Sequence, residues 1–421
     1  MPNDGEHRTM SEDSQGPPLL VIKGSFAQYG GAERDVVRQL EAWSHVFEEV
    51  RIATLHSHPE LEAETKRLGI PLFTPTDTWT EGSSAIDRIT AGSSRAASKA
   101  WRKFLTSGGD TGTLTNALDG ITAVHLVSGA GSLEVVGALP NEIGVHVHML
   151  EPNRGLHGET VLWARIDGSQ PRPPTLTRFL LTIPRRRDKR IVKQLASRAQ
   201  CRFSGNSPYI QSRIKEVYDI EAGVFLPCVD TNLWTTDKKS TVTDSDYVVT
   251  IGRASWVKGT WECIDMLANS KLKLVLVGGG DPSDLEMLSK HAETNQVELE
   301  VAPRLGHSEL VELMASARAI ISLAHGEPFG LTPVEAHAVG TPALMVDEGG
   351  FRTTVEDGVS GRLLPRGDKN AWMQAFQEAA DPENRSKWGI AGRNKIKELG
   401  LDSNSRARDL QSIIQGQETW T

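Results

Sequence analysis

The chain has 421 residues, 38% of them hydrophobic and 24% charged, which is typical of a soluble α/β protein with two domains of ordinary size. Its formal net charge of −8 argues against general affinity for nucleic acid or anionic lipid. The polar segment 1–17 lacks the apolar core of a secretory signal, and no apolar run approaches the ~18 residues of a membrane-spanning helix. We expect a disordered tail at 1–17, and three widely spaced cysteines favour the reducing cytoplasm.

The first half of the chain opens like a βαβ unit. Gly30 and Gly31 stand between an apolar run and a helical pattern. Segment 56–118 is polar and predicts little beyond a helix near 86–105, and the glycines and prolines of 151–174 predict a loop. Apolar runs predict four strands, at Leu19–Ile22, Val50–Ala53, Ala123–Val127 and 144–148.

A basic stretch, 178–202, begins at Arg178 and ends at Arg202. Parts of it are amphipathic, which favours a solvated helix face packed on the sheet. The alternative is a peripheral contact with anionic lipid head groups or a polyanionic acceptor. Its apolar residues are Phe179, Leu180, Leu181, Ile183, Ile191, Val192 and Leu195.

A polar segment, 235–246, predicts a linker between two domains, 18–234 and 247–402. Asp244 and Asp246 within it imitate a metal-binding pair, but the polar run favours a solvated turn. Two successive βα arrays predict two doubly wound domains, with ligands at the carboxyl ends of the strands. The second array has predicted strands at Tyr247–Ile251, 271–277, 297–301, 319–324 and 342–346, and helices at 285–291 and 309–317.

Two glutamates flank the loop that follows the predicted strand 319–324. Pro328 biases Glu327 toward an extended conformation at the end of that strand, where an acidic side chain gains nothing structurally. Thr332 and Pro333 predict the N-cap and first residue of a helix, with Glu335 in its first turn. Glu335 could therefore bind a ligand or complete a capping box with Thr332, whereas Glu327 is expected to bind a ligand.

Other candidate groups suit a phosphate-bearing ligand. Backbone N–H groups of Phe329, Gly330 and Leu331 precede the predicted helix, where a phosphate is favoured. Arg253 and Lys258 follow strand Tyr247–Ile251 and could clamp a pyrophosphate.

Histidines at 146 and 148 lie on the predicted strand 144–148, and we expect them to face opposite sides of the sheet. A strand histidine is more often a packed core residue than a catalytic one. His148, however, lies at the carboxyl end of its strand, where it could donate to a phosphate or a sugar hydroxyl.

Taken together, these motifs resemble glycosyltransferase family 4, a retaining family with the GT-B fold. The resemblance covers most of 19–400 and is strongest in the second half. The matching residues, in order, are Gly30-Gly31-Ala32-Glu33, His146 and His148, Ser207-Pro208-Tyr209, Val229-Asp230, Gly252-Arg253 with Lys258-Gly259, Glu327 to Leu331 with Glu335-Ala336, and Asp357-Gly358 with Gly361.

The resemblance implies two Rossmann-like domains that face a central cleft, with a final helix, within 403–421, packed back on the first domain. It implies no metal and no cofactor beyond a nucleotide sugar as co-substrate. It also implies that His148 and Glu327 lie at the reacting centre, with Glu327 binding the sugar hydroxyls. Arg253 and Lys258 would bind the donor diphosphate, and the backbone of Phe329, Gly330 and Leu331 would contact phosphate. Glu335 would bind the ribose, and Gly31 would touch the donor from the first domain.

The function implied is transfer of a hexose-type sugar from a UDP- or GDP-linked donor to a glycan, lipid-linked or small-molecule acceptor. We expect a cytoplasmic enzyme, with a possible contact at the inner face of the membrane through 178–202. The alternative is a non-catalytic subunit of GT-B fold that binds sugar nucleotide or glycan; an epimerase and a membrane-surface adaptor are further candidates. Segments 56–118 and 301–304 depart from the family pattern, which leaves the acceptor and the donor base open.

Overall fold

The structure, a computed structural model, describes residues 15–82, 84–234, 245–303 and 305–416. Most of the expected tail and linker, together with Asp244, Arg304 and 417–421, lies outside the described residues. Gly16, at the end of the expected tail, already belongs to the fold, because its N–H donates to the carbonyl of Val46 at 2.8 Å.

The first sheet has seven parallel strands in the order β3-β2-β1-β4-β5-β6-β7. All four residues of its inner strand β1 are fully buried, because helices cover both faces of a parallel sheet. The strands are β1 Leu19–Ile22, β2 Val50–Ala53, β3 Leu72–Phe73, β4 Ala123–Val127, β5 Gly144–Met149, β6 Cys201–Gly205 and β7 Gly223–Val224.

The helices around this sheet are α1 Gly31–Val46, α2 Pro59–Leu68, α3 Ala85–Thr90, α4 Gly92–Phe104, α5 Leu114–Leu118, α6 Arg154–His157, α7 Glu159–Leu162, α8 Pro174–Leu180, α9 Thr182–Ala196 and α10 Pro208–Tyr218. Short 3-10 turns lie at Leu133–Ala138 and Thr231–Trp234.

The second sheet has six parallel strands in the order β10-β9-β8-β11-β12-β13. They are β8 Tyr247–Ile251, β9 Lys273–Val277, β10 Leu299–Ala302, β11 Ala319–Ser322, β12 Ala343–Val346 and β13 Gly361–Leu364. A 3-10 turn, Trp256–Lys258, follows β8, and the later helices are α11 Thr260–Leu267, α12 Pro282–Thr294, α13 His307–Ser316, α14 Leu331–Val339, α15 Phe351–Thr354, α16 Lys369–Ala380, α17 Pro382–Leu399 and α18 Ser403–Gln415.

Both sheets change the direction of strand order at their first strand. In the first sheet β1 lies between β2 and β4, and in the second β8 lies between β9 and β11. At such a point the connections leave toward opposite faces of the sheet, so a crevice opens at the carboxyl ends of the two strands. The predicted doubly wound architecture is present in both units, and the loops after β8 and β11 lie at the position where ligands generally bind to such sheets.

The chain crosses between the two units twice in the described part. The segment after β7 and the segment between α17 and α18 run side by side, with the N–H of Val229 donating to the carbonyl of Leu401 at 2.9 Å. Helix α18 packs against α1, and its Ala407, Leu410 and Ile413 are buried in one apolar cluster with Trp43 of α1.

Several predicted elements differ from the structure. The helix expected near 86–105 is two helices, because Ala91 takes a left-handed φ of 57° between them. The loop expected at 151–174 contains α6 and α7, and the basic stretch 178–202 runs from α8 through α9 into the buried strand β6. Short strands β3 and β7 were missed because two residues give no detectable periodicity.

Replacing Leu410 by alanine should lower the free energy of unfolding by about 2–5 kcal/mol, because a fully buried leucine leaves a cavity between α18 and α1. Denaturant unfolding followed by circular dichroism measures the effect. Arg408→Ala, on the exposed side of the same helix, serves as the control. Equal stability of both variants would show that α18 contributes little to the first unit.

Candidate active site

Lys258 and Glu327 form an ion pair at the centre of the candidate site. Lys258 ends the 3-10 turn after β8, and Glu327 lies in the loop after β11. The Lys258 Nζ lies 2.8 Å from the Glu327 Oε2. The two loops approach closely because Gly259 lies against the carbonyl of Leu323, and a Cβ there would come within 2.1 Å of that oxygen. Both residues were candidate site residues in the sequence, and adjacent parallel strands bring them together.

Glu327 is ionised at neutral pH. Burial raises the pKa of its carboxyl, but the charge of Lys258, the hydrogen bond from Lys258 and the charge of Arg154 outweigh burial, so the pKa lies below the ordinary value. Lys258 keeps a side-chain exposure of 41%, so its ammonium can also reach an incoming anion.

The backbone around Glu327 is held from both units. Arg154, from the first unit, donates to the carbonyls of His325 and Gly326 at 3.1 and 2.8 Å. The Ser207 hydroxyl donates to the carbonyl of Pro328, and the N–H of Gly350 donates to the carbonyl of Glu327 at 2.7 Å. These contacts fix the conformation of the loop that carries the carboxylate.

Sequence reasoning gave Arg154 no role. It lies three residues after Glu151, the first residue of the loop predicted at 151–174, and the two side chains are joined by an ion pair at 2.8 Å. Burial raises the pKa of Glu151, while the charge and hydrogen bond of Arg154 lower it and the charge of Glu327 raises it again. The sequence signal that could have indicated Arg154 is an anion and a cation three residues apart in the segment directly after a strand.

Helix α14 begins earlier than predicted. Gly330 is its N-cap with a φ of 94°, so Thr332 and Pro333 are its second and third residues. Proline is tolerated there because the first helical N–H groups have no partner within the helix, so Pro333 did not mark the start. Gly330 also lies close to Phe351, whose Cδ1 would be 2.8 Å from an added Cβ.

Glu335 consequently lies in the second turn of α14 and not in the first. No capping box with Thr332 forms in the described structure, and the N-cap residue Gly330 has no side-chain cap. Burial raises the pKa of Glu335 to about 7, and the charges of Arg38 and Arg34 on α1 act in the opposite direction. Glu335 therefore faces the first unit across the cleft, where α1 brings two cations near it.

Gly31 and Phe329 also lie between the units. A Cβ on Gly31 would be 3.4 Å from Cδ1 of Leu331, so the start of α1 faces the start of α14. The Phe329 side chain is buried in an apolar cluster with Val229 and Leu401, which leaves only its backbone available to a ligand.

Arg253 does not join the Lys258–Glu327 pair. Its guanidinium pairs with Asp281 at 2.6 Å, and both side chains are well exposed. Such an exposed pair contributes only about 0–1 kcal/mol, so an anionic ligand can replace Asp281.

The expectation that His146 and His148 face opposite sides of the sheet was wrong. Residues two apart on a strand share a face, and both rings stack with His125 of β4. The His125 Nδ1 lies 3.0 Å from the His146 Nδ1, and the His146 Nε2 lies 2.6 Å from the Ser204 Oγ.

His148 is 1% exposed, and its Nε2 is buried without a hydrogen-bond partner in the described structure. Burial lowers the pKa of His148 to about 3; a main-chain hydrogen bond at Phe225 raises it, and the charge of Lys23 lowers it further. The ring is therefore neutral at physiological pH and packed in the core of the first unit.

A cavity of about 320 Å³ lies beside the Glu327 loop, between the two units. Its walls include Glu151, Arg154, Thr160, Val161 and Tyr209 from the first unit and His325, Gly326 and Glu348 from the second. A separate cavity of about 510 Å³ at the edge strand β10 contains none of the predicted site residues. Within the described ranges, no group of three or more His, Cys, Asp or Glu side chains could hold a metal ion.

Residues 234–395 match the family profile described as Glycosyl transferases group 1. A D-inositol 3-phosphate glycosyltransferase of Xylanimonas cellulosilytica is 30% identical over 172 residues, which cover 39% of this chain and 41% of that relative. The chain thus spans about two fifths of that curated relative, and about a third of a further one, from Streptomyces coelicolor.

Two solved structures share the whole architecture. Sucrose-phosphate synthase from Thermosynechococcus elongatus superposes with a TM-score of 0.69 at 18% identity, covering 95% of this chain and 99% of that one. Anabaena HepE in complex with UDP and glucose gives a TM-score of 0.64 at 16% identity, covering 95% and 100%.

The fold is therefore GT-B, as the sequence predicted. Residues 234–395, in the second unit, match the glycosyltransferase group 1 family, and the suspected resemblance to a GT-B glycosyltransferase is confirmed at that level. Membership of family 4 stays a prediction.

Acidification should destabilise the protein through the histidine stack. In the unfolded chain these histidines bind protons below about pH 6.5, whereas in the folded chain His148 stays neutral to about pH 3. The neutral ring therefore makes its full contribution to the free energy of unfolding above about pH 6.5, and that contribution is lost as the pH falls. Each such group contributes up to about 1.4 kcal/mol per pH unit. Urea unfolding at about pH 7.5 and about pH 5.5 measures the loss.

His148→Phe, which keeps a ring of similar shape, should reduce the pH dependence of the free energy of unfolding by roughly the contribution of one histidine. An unchanged pH dependence in this variant would contradict the placement of His148 as a buried neutral ring.

Proposed function

We propose that this protein is a retaining glycosyltransferase of family 4. It would move a hexose-type sugar from a nucleoside diphosphate donor to a glycan, lipid-linked or small-molecule acceptor. The observation that carries the proposal is the Lys258–Glu327 pair at the switch point of the second sheet, with Gly31 of the first unit opposite. The complex of HepE with UDP and glucose favours UDP over GDP in the donor.

Donor binding would begin with an exchange of partners. In the structure Lys258 is paired with Glu327, and Arg253 with Asp281. A diphosphate placed at the start of α14 would attract both cations and accept from the N–H groups near Gly330 and Leu331. Glu327 would then be free to accept hydrogen bonds from the sugar hydroxyls.

The reaction breaks the bond between the anomeric carbon and the diphosphate oxygen and forms a bond from that carbon to the acceptor oxygen. Negative charge grows on the leaving phosphate, where Lys258, Arg253 and the N-terminus of α14 stabilise it. The acceptor hydroxyl attacks on the same face, and its proton passes to the departing phosphate oxygen. Glu327 positions the sugar and does not attack it.

Two further residues have narrower roles. Glu335, whose pKa is raised to about 7 by burial, would accept from ribose hydroxyls more strongly once it is ionised. A position for His148 at the reacting centre stays a prediction; its burial in the stack favours support of the Glu151 loop from behind.

No cofactor besides the nucleotide sugar is proposed, and the cytoplasm is the proposed location. Contact with the inner face of the membrane through 178–202 is a separate hypothesis. The rival function is a non-catalytic subunit that binds a sugar nucleotide or glycan, because binding needs the same pocket but no bond cleavage.

A donor panel tests the proposal directly. The purified chain is incubated with UDP-glucose, UDP-N-acetylglucosamine, UDP-galactose and GDP-mannose, and both sugar-nucleotide consumption and thermal shift are measured. We expect a thermal shift and slow hydrolysis with at least one UDP-sugar. A shift without consumption, with or without candidate acceptors, would support the non-catalytic subunit, and no response from folded protein would overturn the donor site.

Lys258→Met and Glu327→Gln should each lower the rate of transfer by about 100-fold or more, because each removes a charged group from the donor site. Initial rates at saturating donor measure the effect. Lys273 and Glu300 form an ion pair of the same 2.8 Å length in the same unit, so Lys273→Met and Glu300→Gln are the matched controls. Transfer by Glu327→Gln at the wild-type rate would remove Glu327 from the mechanism.

A further inference from the structure

An unpartnered surface runs over α7, α8 and the outer face of α9, which we call the α8–α9 surface. Its apolar residues are Leu162, Leu176, Phe179 and Ile183, and its basic residues are Arg172, Arg186, Lys189, Arg190 and Lys193. The three helices pack side by side, α7 on α8 and α8 on α9. The surface is thus continuous and built from ordered elements.

Its apolar residues are unusually exposed. Phe179 is 76% exposed and Ile183 is 55% exposed. Of the large hydrophobic side chains that are exposed in the described part of the chain, half lie here, and Ile86 of α3 lies on a helix that packs against α9. Single exposed hydrophobic residues are ordinary, but a cluster marks an interaction surface.

The basic residues lie on the same side of α9. Ile183, Arg186, Arg190 and Lys193 are spaced by three or four residues and are all exposed, whereas the opposite face is packed on the sheet. The buried residues of that opposite face are Pro184, Ile191, Val192 and Leu195.

The charge of this surface has one sign. Between 168 and 200 the only acidic residue is Asp188, and its carboxylate already accepts from Tyr218 at 2.9 Å and lies 2.8 Å from His157. The five basic residues of the surface form no ion pair or hydrogen bond within the described structure. Such a patch attracts anions although the whole chain carries a net charge of −8.

Several arginines of the basic stretch 178–202 are occupied by contacts within the fold. Arg185 pairs with Glu159 at 2.7 Å, Arg187 donates to Ser94 at 2.7 Å, and Arg202 donates to the carbonyl of Ile413 at 3.0 Å. These arginines hold the fold together. Only the exposed residues of the α8–α9 surface, which extend along α9 as far as Lys193, are available to a partner.

We propose that the α8–α9 surface docks the protein on an anionic phospholipid bilayer. Phe179 and Ile183 would enter the boundary between head groups and acyl chains, and the basic side chains would contact lipid phosphates. The exposed apolar side chains favour a bilayer over a soluble polyanion, which would leave them in water. None of the helices in the described ranges has the length and apolar composition to cross a membrane, so the contact is peripheral.

Docking would also orient the cleft. Leu162 belongs to the same short helix as Thr160 and Val161, which line the cavity beside the Glu327 loop. A bilayer under α7 and α8 would therefore lie near that cavity. The inference goes beyond the proposed activity, because lipid binding requires no sugar donor.

Flotation with vesicles tests the proposal on the full chain. Vesicles of phosphatidylcholine alone are compared with vesicles of equal parts phosphatidylcholine and phosphatidylglycerol. We expect binding to the anionic vesicles only, weakened by salt. The double variants Phe179→Ser with Ile183→Ser, and Arg186→Glu with Arg190→Glu, should each reduce partitioning by about tenfold or more.

Ile390→Ser and Lys369→Glu, exposed residues of the second unit, are matched controls and should bind as the wild type does. Circular dichroism and the thermal shift with donor establish that the variants remain folded and competent. Wild-type binding by both double variants, or no binding to anionic vesicles, would overturn the proposal. If only the arginine variant lost binding, and the wild-type protein bound soluble polyphosphate as tightly as it bound anionic vesicles, the surface would be a polyanion site instead.

Discussion

The ion pair between Lys258 and Glu327 depends on the register of two adjacent parallel strands. Because β8 and β11 are neighbours, the turn after one and the loop after the other meet, and Gly259 allows them to touch. The pair keeps two opposite charges together in a partly buried position. A buried carboxylate without Lys258 would be protonated more readily, so the cation also maintains the charge state of the anion.

The first unit contributes to this site through side chains that donate to backbone carbonyls of the Glu327 loop. Arg154 donates to the carbonyls of His325 and Gly326, and Ser207 donates to the carbonyl of Pro328. The carbonyl of Glu327, between them, accepts from Gly350 of the second unit. The conformation of the Glu327 loop in the second unit therefore depends on contacts from the first unit.

Much of this site could be predicted from the sequence, because its residues follow long apolar strands. Strands β8 and β11 were recognisable as apolar runs, and their carboxyl ends gave Lys258 and Glu327. The start of α14 was misplaced because Thr332 and Pro333 imitate a helix start, while Gly330 provides the left-handed N-cap. Arg154 was missed since its partners are backbone carbonyls some 170 positions away, which leave no mark in local sequence. A prediction of the histidine stack would have required the register of β4 against β5, and the periodicity within one strand does not contain that register.

The two chain crossings between the units lie together, tied by the hydrogen bond from Val229 to Leu401. Phe329, in the loop that carries Glu327, is buried against both of them. Two neighbouring attachments suit a hinge, and an opening about them would move Arg154 and Ser207 away from the Glu327 loop together. Because Phe329 packs against both attachments, the position of that loop would then depend on the angle between the two units.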